Sequence, residues 1–212
     1  MKRVYSAYYK SDGYPFHNLA DKVETVWAAD QLEEKDSLLV VWGGADISPS
    51  LYNHKESSQT YPGGKRDWIE WALMQGAIKR GIPIMGVCRG AQMACAAAGG
   101  FLIQDVDNHV GGHSVKTING TQILVNSLHH QMMFAPPEVE AKLLAWCETP
   151  RSPSYIIEDD RLFQPPPGFL EPEAYYFPKI KALAVQWHPE MMAENAAATV
   201  FILNQMKELQ WL

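Results

Sequence analysis

Short apolar runs alternate along the chain with longer stretches in which apolar residues recur every three or four positions. The short runs predict strands buried on both faces, and the longer stretches predict amphipathic helices. Strands and helices in alternation predict a mostly parallel sheet that helices cover on both sides. The predicted strands span residues 4–9, 38–42, 83–87, 115–118, 122–125, 143–146 and 183–187, and the predicted helices span residues 19–32, 66–80, 92–98 and 194–209.

A proline-rich segment interrupts this alternation near the C-terminal end. Residues 149–178 contain many of the prolines, including the run Pro165-Pro166-Pro167. Because a strand and a helix follow it, we predict an ordered excursion or lid rather than a linker.

Size and composition fit one folded domain spanning residues 1–212. Apolar residues make up 47% of the chain, which is enough for a hydrophobic core. The formal net charge of -6 argues against a nucleic-acid partner, which would demand a basic face. No apolar run approaches the ~20 residues that span a bilayer, and the start has no apolar signal core, so we expect no membrane partner and a cytoplasmic location.

The three cysteines, Cys88, Cys95 and Cys147, are an odd number with no zinc or CxxC spacing. This usage suits a reducing compartment and leaves at least one thiol free to react. The residues around Cys88 set it apart from the other two.

The sequence Gly86-Val87-Cys88-Arg89-Gly90 lies between a predicted buried strand and an alanine-rich helix. A sharp strand-to-helix turn strains the backbone of a nucleophile, so its flanking positions must be nearly free of side chain. The helix N-terminus favours the thiolate of Cys88, and the backbone N–H of Arg89 is placed to bind an oxyanion. A glycine-flanked turn with a buried cysteine gives the same short motif, but the strand and helix around it favour catalysis.

Two further segments directly follow predicted strands and are candidates for the other parts of a cysteine-nucleophile site. Gly43 and Gly44 let the backbone approach an anion, which would provide a second oxyanion donor, although an ordinary loop also fits. His188 follows the strand near the C-terminus. It therefore lies at the same sheet edge as the turn that carries Cys88, which we call the elbow. Pro189 stiffens the turn, and Glu190 can bind the far imidazole nitrogen and fix its tautomer.

Taken in order, these motifs resemble class I glutamine amidotransferase-like proteins. The resemblance spans residues 38–193, and its finer features are similar to the γ-glutamyl-γ-aminobutyrate hydrolase branch, peptidase family C26. The motifs that carry it are Gly43-Gly44-x-Asp46-Ile47-x-Pro49-x-x-Tyr52, Arg66-Asp67-x-x-Glu70, Cys88-Arg89-Gly90-x-Gln92, Gly99-Gly100, Asn126-Ser127-x-His129-His130-Gln131 and His188-Pro189-Glu190.

The resemblance implies a three-layer, flavodoxin-like α/β fold and no metal or organic cofactor. Two regions depart from the branch, namely a compressed part before Leu38 and the proline-rich segment, so the identity of the leaving group is not transferable. The implied site consists of a catalytic triad of Cys88, His188 and Glu190, oxyanion donors at Gly44 and Arg89, and substrate contacts from Gly43, Gln92, Ser127 and His129.

His109 and His113 could suggest a metal site, since they are four residues apart with Asp105 and Asp107 nearby. No helix is evident there, and glycines between the histidines break the spacing. We therefore predict a substrate-pocket loop and no metal.

Three functions remain open from the sequence. The first is a free-standing cysteine hydrolase of γ-glutamyl amides such as γ-glutamyl-GABA, acting through a γ-glutamyl thioester. The second is a glutaminase subunit that takes glutamine and supplies ammonia to a separate synthetase partner. The third, an inactive binding or regulatory module, is disfavoured because nucleophile, base and orienting carboxylate are all present. A homodimer is left open.

Overall fold

Nine strands form one central sheet in the computed structural model, which describes residues 1–8, 12–33 and 36–212. Smaller two- and three-stranded sheets and short 3-10 helices accompany it. In the described residues the strands are β1 Arg3–Ala7, β2 Lys22–Val26, β3 Ser37–Val41, β4 Ile84–Val87, β5 Phe101–Ile103, β6 Asp105–Val106, β7 His113–Thr117, β8 Gln122–Val125, β9 Met132–Phe134, β10 Lys142–Trp146, β11 Tyr155–Ile157, β12 Arg161–Leu162, β13 Pro172–Phe177 and β14 Ala182–Val185, and the helices are α1 Lys65–Arg80, α2 Arg89–Ala97 and α3 Ala197–Glu208.

The order of the central sheet is β2-β1-β3-β4-β14-β13-β10-β7-β8. The first five strands are mutually parallel, and from β14 onward each neighbouring pair is antiparallel. Only β13 and β7 therefore run against the common direction among the described strands. Because β3, β4 and β14 are parallel neighbours, their carboxyl ends meet at one edge of the sheet.

Two hydrophobic clusters on opposite faces of the sheet hold the layers together. Side chains of α1 and α2 such as Leu73 and Ala94 pack on one face, together with Leu39. Residues of α3 such as Ile202 pack on the other face, together with Val40. Successive strand residues point to opposite faces, so β3 contributes to both clusters. The predicted three-layer α/β class is confirmed.

The predicted helix over residues 19–32 is wrong. The chain there forms strand β2, which pairs in parallel with β1 at the sheet edge, between two short 3-10 helices. The apolar spacing fits a helix, but Val23, Thr25 and Val26 are β-branched and favour a pleated surface. Strand β1 ends earlier than predicted, and the predicted end at Tyr9 lies outside the described residues.

The proline-rich segment is only partly an excursion. Strands β11 and β12 join β6 in the three-stranded sheet, away from the central one. Strand β13 lies inside the central sheet between β14 and β10, and the sequence analysis did not predict it. Pro172 is tolerated because it is the first residue of that strand.

The other predicted elements lie within a few residues of the observed ones, whereas the short strands β5, β6, β9, β11 and β12 were not predicted. Helix α1 ends at Gly81, which adopts a left-handed conformation with φ 68° as the cap requires. Helix α2 begins at Arg89, three residues before the prediction, directly after the cysteine. No helix in the described part of the chain is long and apolar enough to cross a membrane.

Candidate active site

Cys88 occupies a strained turn between β4 and α2. Its φ of 50° and ψ of -108° lie in a region that non-glycine residues rarely adopt, at a cost of about 1–3 kcal/mol. Its N–H donates to the carbonyl of Val185 on the neighbouring strand β14 at 2.7 Å. A Cβ added to Gly86 would lie 2.6 Å from the carbonyl oxygen of Gly90, and one added to Gly90 would lie 2.0 Å from that of Val41. Close packing therefore excludes side chains at both flanking positions.

His188 follows β14 and lies against the thiol. Its imidazole and the Cys88 side chain border the same position beside Gly43, and Nδ1 of His188 lies 2.7 Å from Oε1 of Glu190. Burial lowers the pKa of His188, but the hydrogen bonds to Cys88 and Glu190 outweigh burial and raise that pKa to about 10. Pro189 begins a 3-10 helix that carries Glu190 back toward the ring. The structure thus brings the three predicted triad residues together.

Asn126 holds the backbone of His188 at both of its polar groups. The side-chain amide of Asn126 donates to the His188 carbonyl at 3.0 Å, and its oxygen accepts from the His188 N–H at 3.0 Å. The sequence analysis noted Asn126 as part of a motif but assigned it no role. Periodicity could not have found it, because its partner is 62 residues away.

The loop after β3 passes directly over the thiol and the imidazole. A Cβ added to Gly43 would lie 2.6 Å from Cε1 of His188 and 3.5 Å from the Cβ of Cys88. Gly44 has φ 152°, and a Cβ there would lie 2.1 Å from Nη1 of Arg66. Arg66 donates to the Gly43 carbonyl at 2.8 Å. Because a peptide unit is planar and trans, the N–H of Gly44 must point away from that guanidinium.

A buried ionic network lies below this loop. Arg89 donates one guanidinium nitrogen to Asp67 and another to Glu70, and Arg66 Nε donates to Glu70 at 3.0 Å. Burial raises the pKa of Glu70 despite both cations. The side chain of Arg66 is buried and packs under Gly44. The Arg89 side chain is fully buried as well, so the predicted oxyanion contact of this residue depends on its backbone N–H.

The remaining predicted substrate contacts are buried. Gln92 donates to the carbonyl of Gln131 at 3.0 Å. Ser127 is inaccessible, and His129 Nε2 lies 3.2 Å from Oε1 of Glu173. Substrate contact by these three side chains stays a prediction.

His130, unlike its neighbour His129, is partly exposed. Its ring bridges Asp46 and Asp105 at 3.2 and 3.1 Å. The hydrogen bond to Asp46 is the largest cause that raises the pKa of His130 to about 8. The two adjacent histidines thus point in different directions, as their extended backbone predicts.

His109 and His113 pack in a cluster whose acidic members differ from those that the sequence suggested. They contact Glu171 and Glu173 rather than Asp105 and Asp107. The difference follows from β13, which carries Glu173 into the sheet beside β10.

The site combines a cysteine elbow on a parallel sheet with a histidine, followed by a glutamate, at the same sheet edge. This combination defines the class I glutamine amidotransferase-like proteins. A solved structure in this class, described as a GMP synthase subunit from Thermoplasma acidophilum, matches with a TM-score of 0.60 at 17% identity and covers 99% of this chain and 98% of its own. At that identity the likeness establishes the fold.

Within that class, the family profile described as Peptidase C26 matches residues 3–132, and the chain belongs to the peptidase C26 family of hydrolase-type enzymes. The Mycobacterium tuberculosis protein Rv2859c, named as a glutamine amidotransferase, is 32% identical over 76% of this chain and 53% of its own. The γ-glutamyl-γ-aminobutyrate hydrolase PuuD of Escherichia coli is 24% identical over 78% of this chain and 68% of its own. The chain thus spans about half the length of the mycobacterial relative.

Proposed function

We propose that this protein hydrolyses γ-glutamyl amide bonds with Cys88 as the nucleophile. The observation that carries the proposal is the position of Cys88 at a strained elbow beside His188, whose Nδ1 lies 2.7 Å from Oε1 of Glu190. A thiol beside an imidazole that a carboxylate orients is the arrangement of nucleophilic acyl transfer. We place the reaction in the cytoplasm, where reducing conditions keep the thiol free.

The reaction proceeds in two halves. The Cys88 thiolate attacks the γ-carbonyl carbon, and the oxyanion is bound by the backbone N–H groups of Gly44 and Arg89. The C–N bond breaks as protonated His188 gives its proton to the departing amine, which leaves a γ-glutamyl thioester. Water then attacks the thioester carbonyl while His188 accepts its proton, so that glutamate leaves and the thiolate is restored.

We assign γ-glutamyl-amine conjugates such as γ-glutamyl-GABA as the substrate class. The support comes from the motif that starts at Gly43, from Arg89 directly after the cysteine, and from the similarity to PuuD, which is named for hydrolysis of that conjugate. The other candidate is a glutaminase subunit that passes ammonia to a separate synthetase. The fold match to a protein described as a GMP synthase subunit favours that alternative.

A panel of γ-glutamyl amides, with release of glutamate as the readout, separates the two candidates. We expect turnover of γ-glutamyl-GABA by the isolated chain to exceed turnover of glutamine. Strong activity on glutamine that appears only with a synthetase partner would instead assign the glutaminase role. An electrophilic glutamine analogue that fails to label Cys88 would indicate an inactive binding module.

Replacing Glu190 tests whether the carboxylate orients the base. Glu190→Gln is expected to lower kcat/KM on the best substrate about 10²-fold or more, because the imidazole loses its oriented, charge-stabilised state. The hydrogen bond to Glu190 helps to raise the pKa of His188 to about 10. Removing that carboxylate lowers the pKa, so the high-pH limb of the kcat/KM profile should move to lower pH.

The matched control for this variant is Glu194→Gln. Glu194 is a solvent-exposed carboxylate a few residues further along the chain, and its side chain is 58% exposed. The control should keep the wild-type pH profile. A high-pH limb that stays in place in Glu190→Gln would contradict the orienting role.

A further inference from the structure

A second cluster of reactive side chains lies at one end of the neighbouring strands β7, β10 and β13. It consists of His109, His113, Cys147 and Glu173, all buried, whose ligand atoms lie within 4.8 Å of one another. We call it the His-Cys-Glu cluster. The proposed mechanism uses none of these four side chains.

The distances within the His-Cys-Glu cluster approach those of a tetrahedral metal site. Oε1 of Glu173 lies 3.1 Å from Nδ1 of His109, 3.2 Å from Nε2 of His113 and 4.0 Å from Sγ of Cys147. A zinc ion with bonds of about 2.0–2.3 Å to nitrogen, oxygen and sulfur separates its ligands by about 3.3–3.6 Å. The other pairs of ligand atoms lie within 4.8 Å of one another, so the cluster must contract around an ion to become a coordination sphere.

The outer hydrogen bonds of His109 and His113 orient the inner ring nitrogens toward the cluster. Nδ1 of His113 lies 3.3 Å from the carbonyl oxygen of Gly111, and Nε2 of His109 lies 3.2 Å from Oε2 of Glu171. Those oxygens only accept, so both outer nitrogens carry hydrogen. The inner nitrogens, Nδ1 of His109 and Nε2 of His113, face the carboxylate of Glu173 and can bind a metal once they carry no proton. Burial lowers the pKa of His109, but its hydrogen bonds to Glu171 and Glu173 outweigh burial and raise that pKa to about 9, so an ion must displace a proton from this ring.

The surroundings of the cluster are those that fix metal ligands in place. Glu171, which holds His109, itself accepts from the N–H groups of Arg151 and Ser152 and from the hydroxyl of Tyr155 at 2.7–2.9 Å. A histidine held by an outer carboxylate in this way is the usual support of a zinc ligand. In addition, Oε2 of the fully buried Glu173 has no hydrogen-bond partner among the described residues.

We propose that the His-Cys-Glu cluster binds one Zn²⁺ as a structural site. Two imidazoles, a thiolate and a carboxylate form a tetrahedral set that suits zinc, and four protein ligands leave no open position for substrate. On binding, the thiol proton of Cys147 and the proton between His109 and Glu173 leave to solvent, and the Zn–S and Zn–N bonds form. His129 donates from Nε2 to the ligating carboxylate, so the ion also steadies the loop in which Asn126 holds His188.

The test is the metal content of the full chain, produced with zinc in the medium and purified without a histidine tag. We expect about one zinc per chain by elemental analysis, and about ten-fold less in His113→Ala and Cys147→Ala. After zinc is exchanged for Co²⁺, the wild type should show visible bands of tetrahedral cobalt and a sulfur-to-cobalt charge-transfer band. Cys147→Ser should lose the charge-transfer band.

Two control variants separate this site from the other thiols. Cys88→Ala removes the thiol beside His188, and Cys95→Ala removes a buried core thiol that hydrogen-bonds backbone carbonyls of Phe101 and Phe134. Both should retain zinc and the cobalt bands. Zinc that disappears in Cys88→Ala would locate the metal at the elbow and overturn the proposal.

The thermal unfolding of the wild type tests the zinc proposal even where a variant of the cluster fails to fold. The Tm of the chelator-treated chain should rise with added Zn²⁺. A wild-type chain that contains no zinc, and whose Tm is the same with Zn²⁺ and with chelator, overturns the proposal. The cluster would then be a hydrogen-bonded network that holds no ion.

Discussion

Cys88→Ala is expected to lower turnover of the best γ-glutamyl amide by at least about 10⁴-fold while the fold is retained. Without the thiol no thioester can form, and the oxyanion donors alone supply only a small part of the acceleration. The fold should be unaffected, because the backbone strain and the glycine contacts at the elbow do not depend on sulfur. Glutamate release and the urea midpoint of unfolding measure the two parts of this prediction.

The matched control for the nucleophile is Cys95→Ala. Cys95 is a thiol on the same helix, seven residues further on, and it is fully buried in the core. Its loss should cost stability and leave kcat within a few fold of the wild type. Full activity of Cys88→Ala would refute the proposed mechanism.

The second large effect is expected from the buried ionic network. Arg89→Met should lower the free energy of unfolding by about 3–5 kcal/mol, because removing one partner of a buried ion pair leaves uncompensated charge. Asp67 and Glu70 both accept from Arg89 and are fully buried, and Glu70 also accepts from Arg66. Urea unfolding of wild type and variant measures the difference.

An exposed pair provides the comparison for that effect. Arg161 binds Glu158 at the surface with a side chain that is 59% exposed, so Arg161→Met should change stability by less than about 1 kcal/mol. A triple variant, Asp67→Asn, Glu70→Gln and Arg89→Met, should recover part of the loss, since it removes both carboxylate charges along with the cation. An Arg89→Met chain as stable as the wild type would show that the network contributes no net stability.

Local patterns were sufficient for the elbow and its partners. The glycines on either side of Cys88 are required by contacts with the next turn and with β3, and such close packing leaves a signature in adjacent residues. His188 and Glu190 are two residues apart, so a single turn places the carboxylate on the imidazole. The location of both segments at one sheet edge follows from their position after parallel strands.

Pairings across long stretches of chain could not be predicted in this way. Strand β2 has a helix-compatible apolar pattern and became a strand because β1 offered an edge for parallel pairing. Strand β13 begins with proline inside a proline-rich segment, which concealed its alternation. The burial of Arg66 likewise follows from the approach of Gly44 and from its hydrogen bond to Glu70, which the spacing of the helix does not predict.

The sequence by itself determined the class of fold, the family resemblance and the candidate nucleophile with its base, because each depends on residues that are close along the chain. The tertiary structure alone decided what surrounds them. Asn126 meets His188 across 62 residues, and His113 meets Glu173 across 60. Such contacts arise from sheet order, which places distant segments side by side and leaves no periodic trace in either one. The sequence therefore indicated the reactive thiol at the elbow. The His-Cys-Glu cluster was recognised only from the structure, in which β13 carries Glu173 to the other three residues.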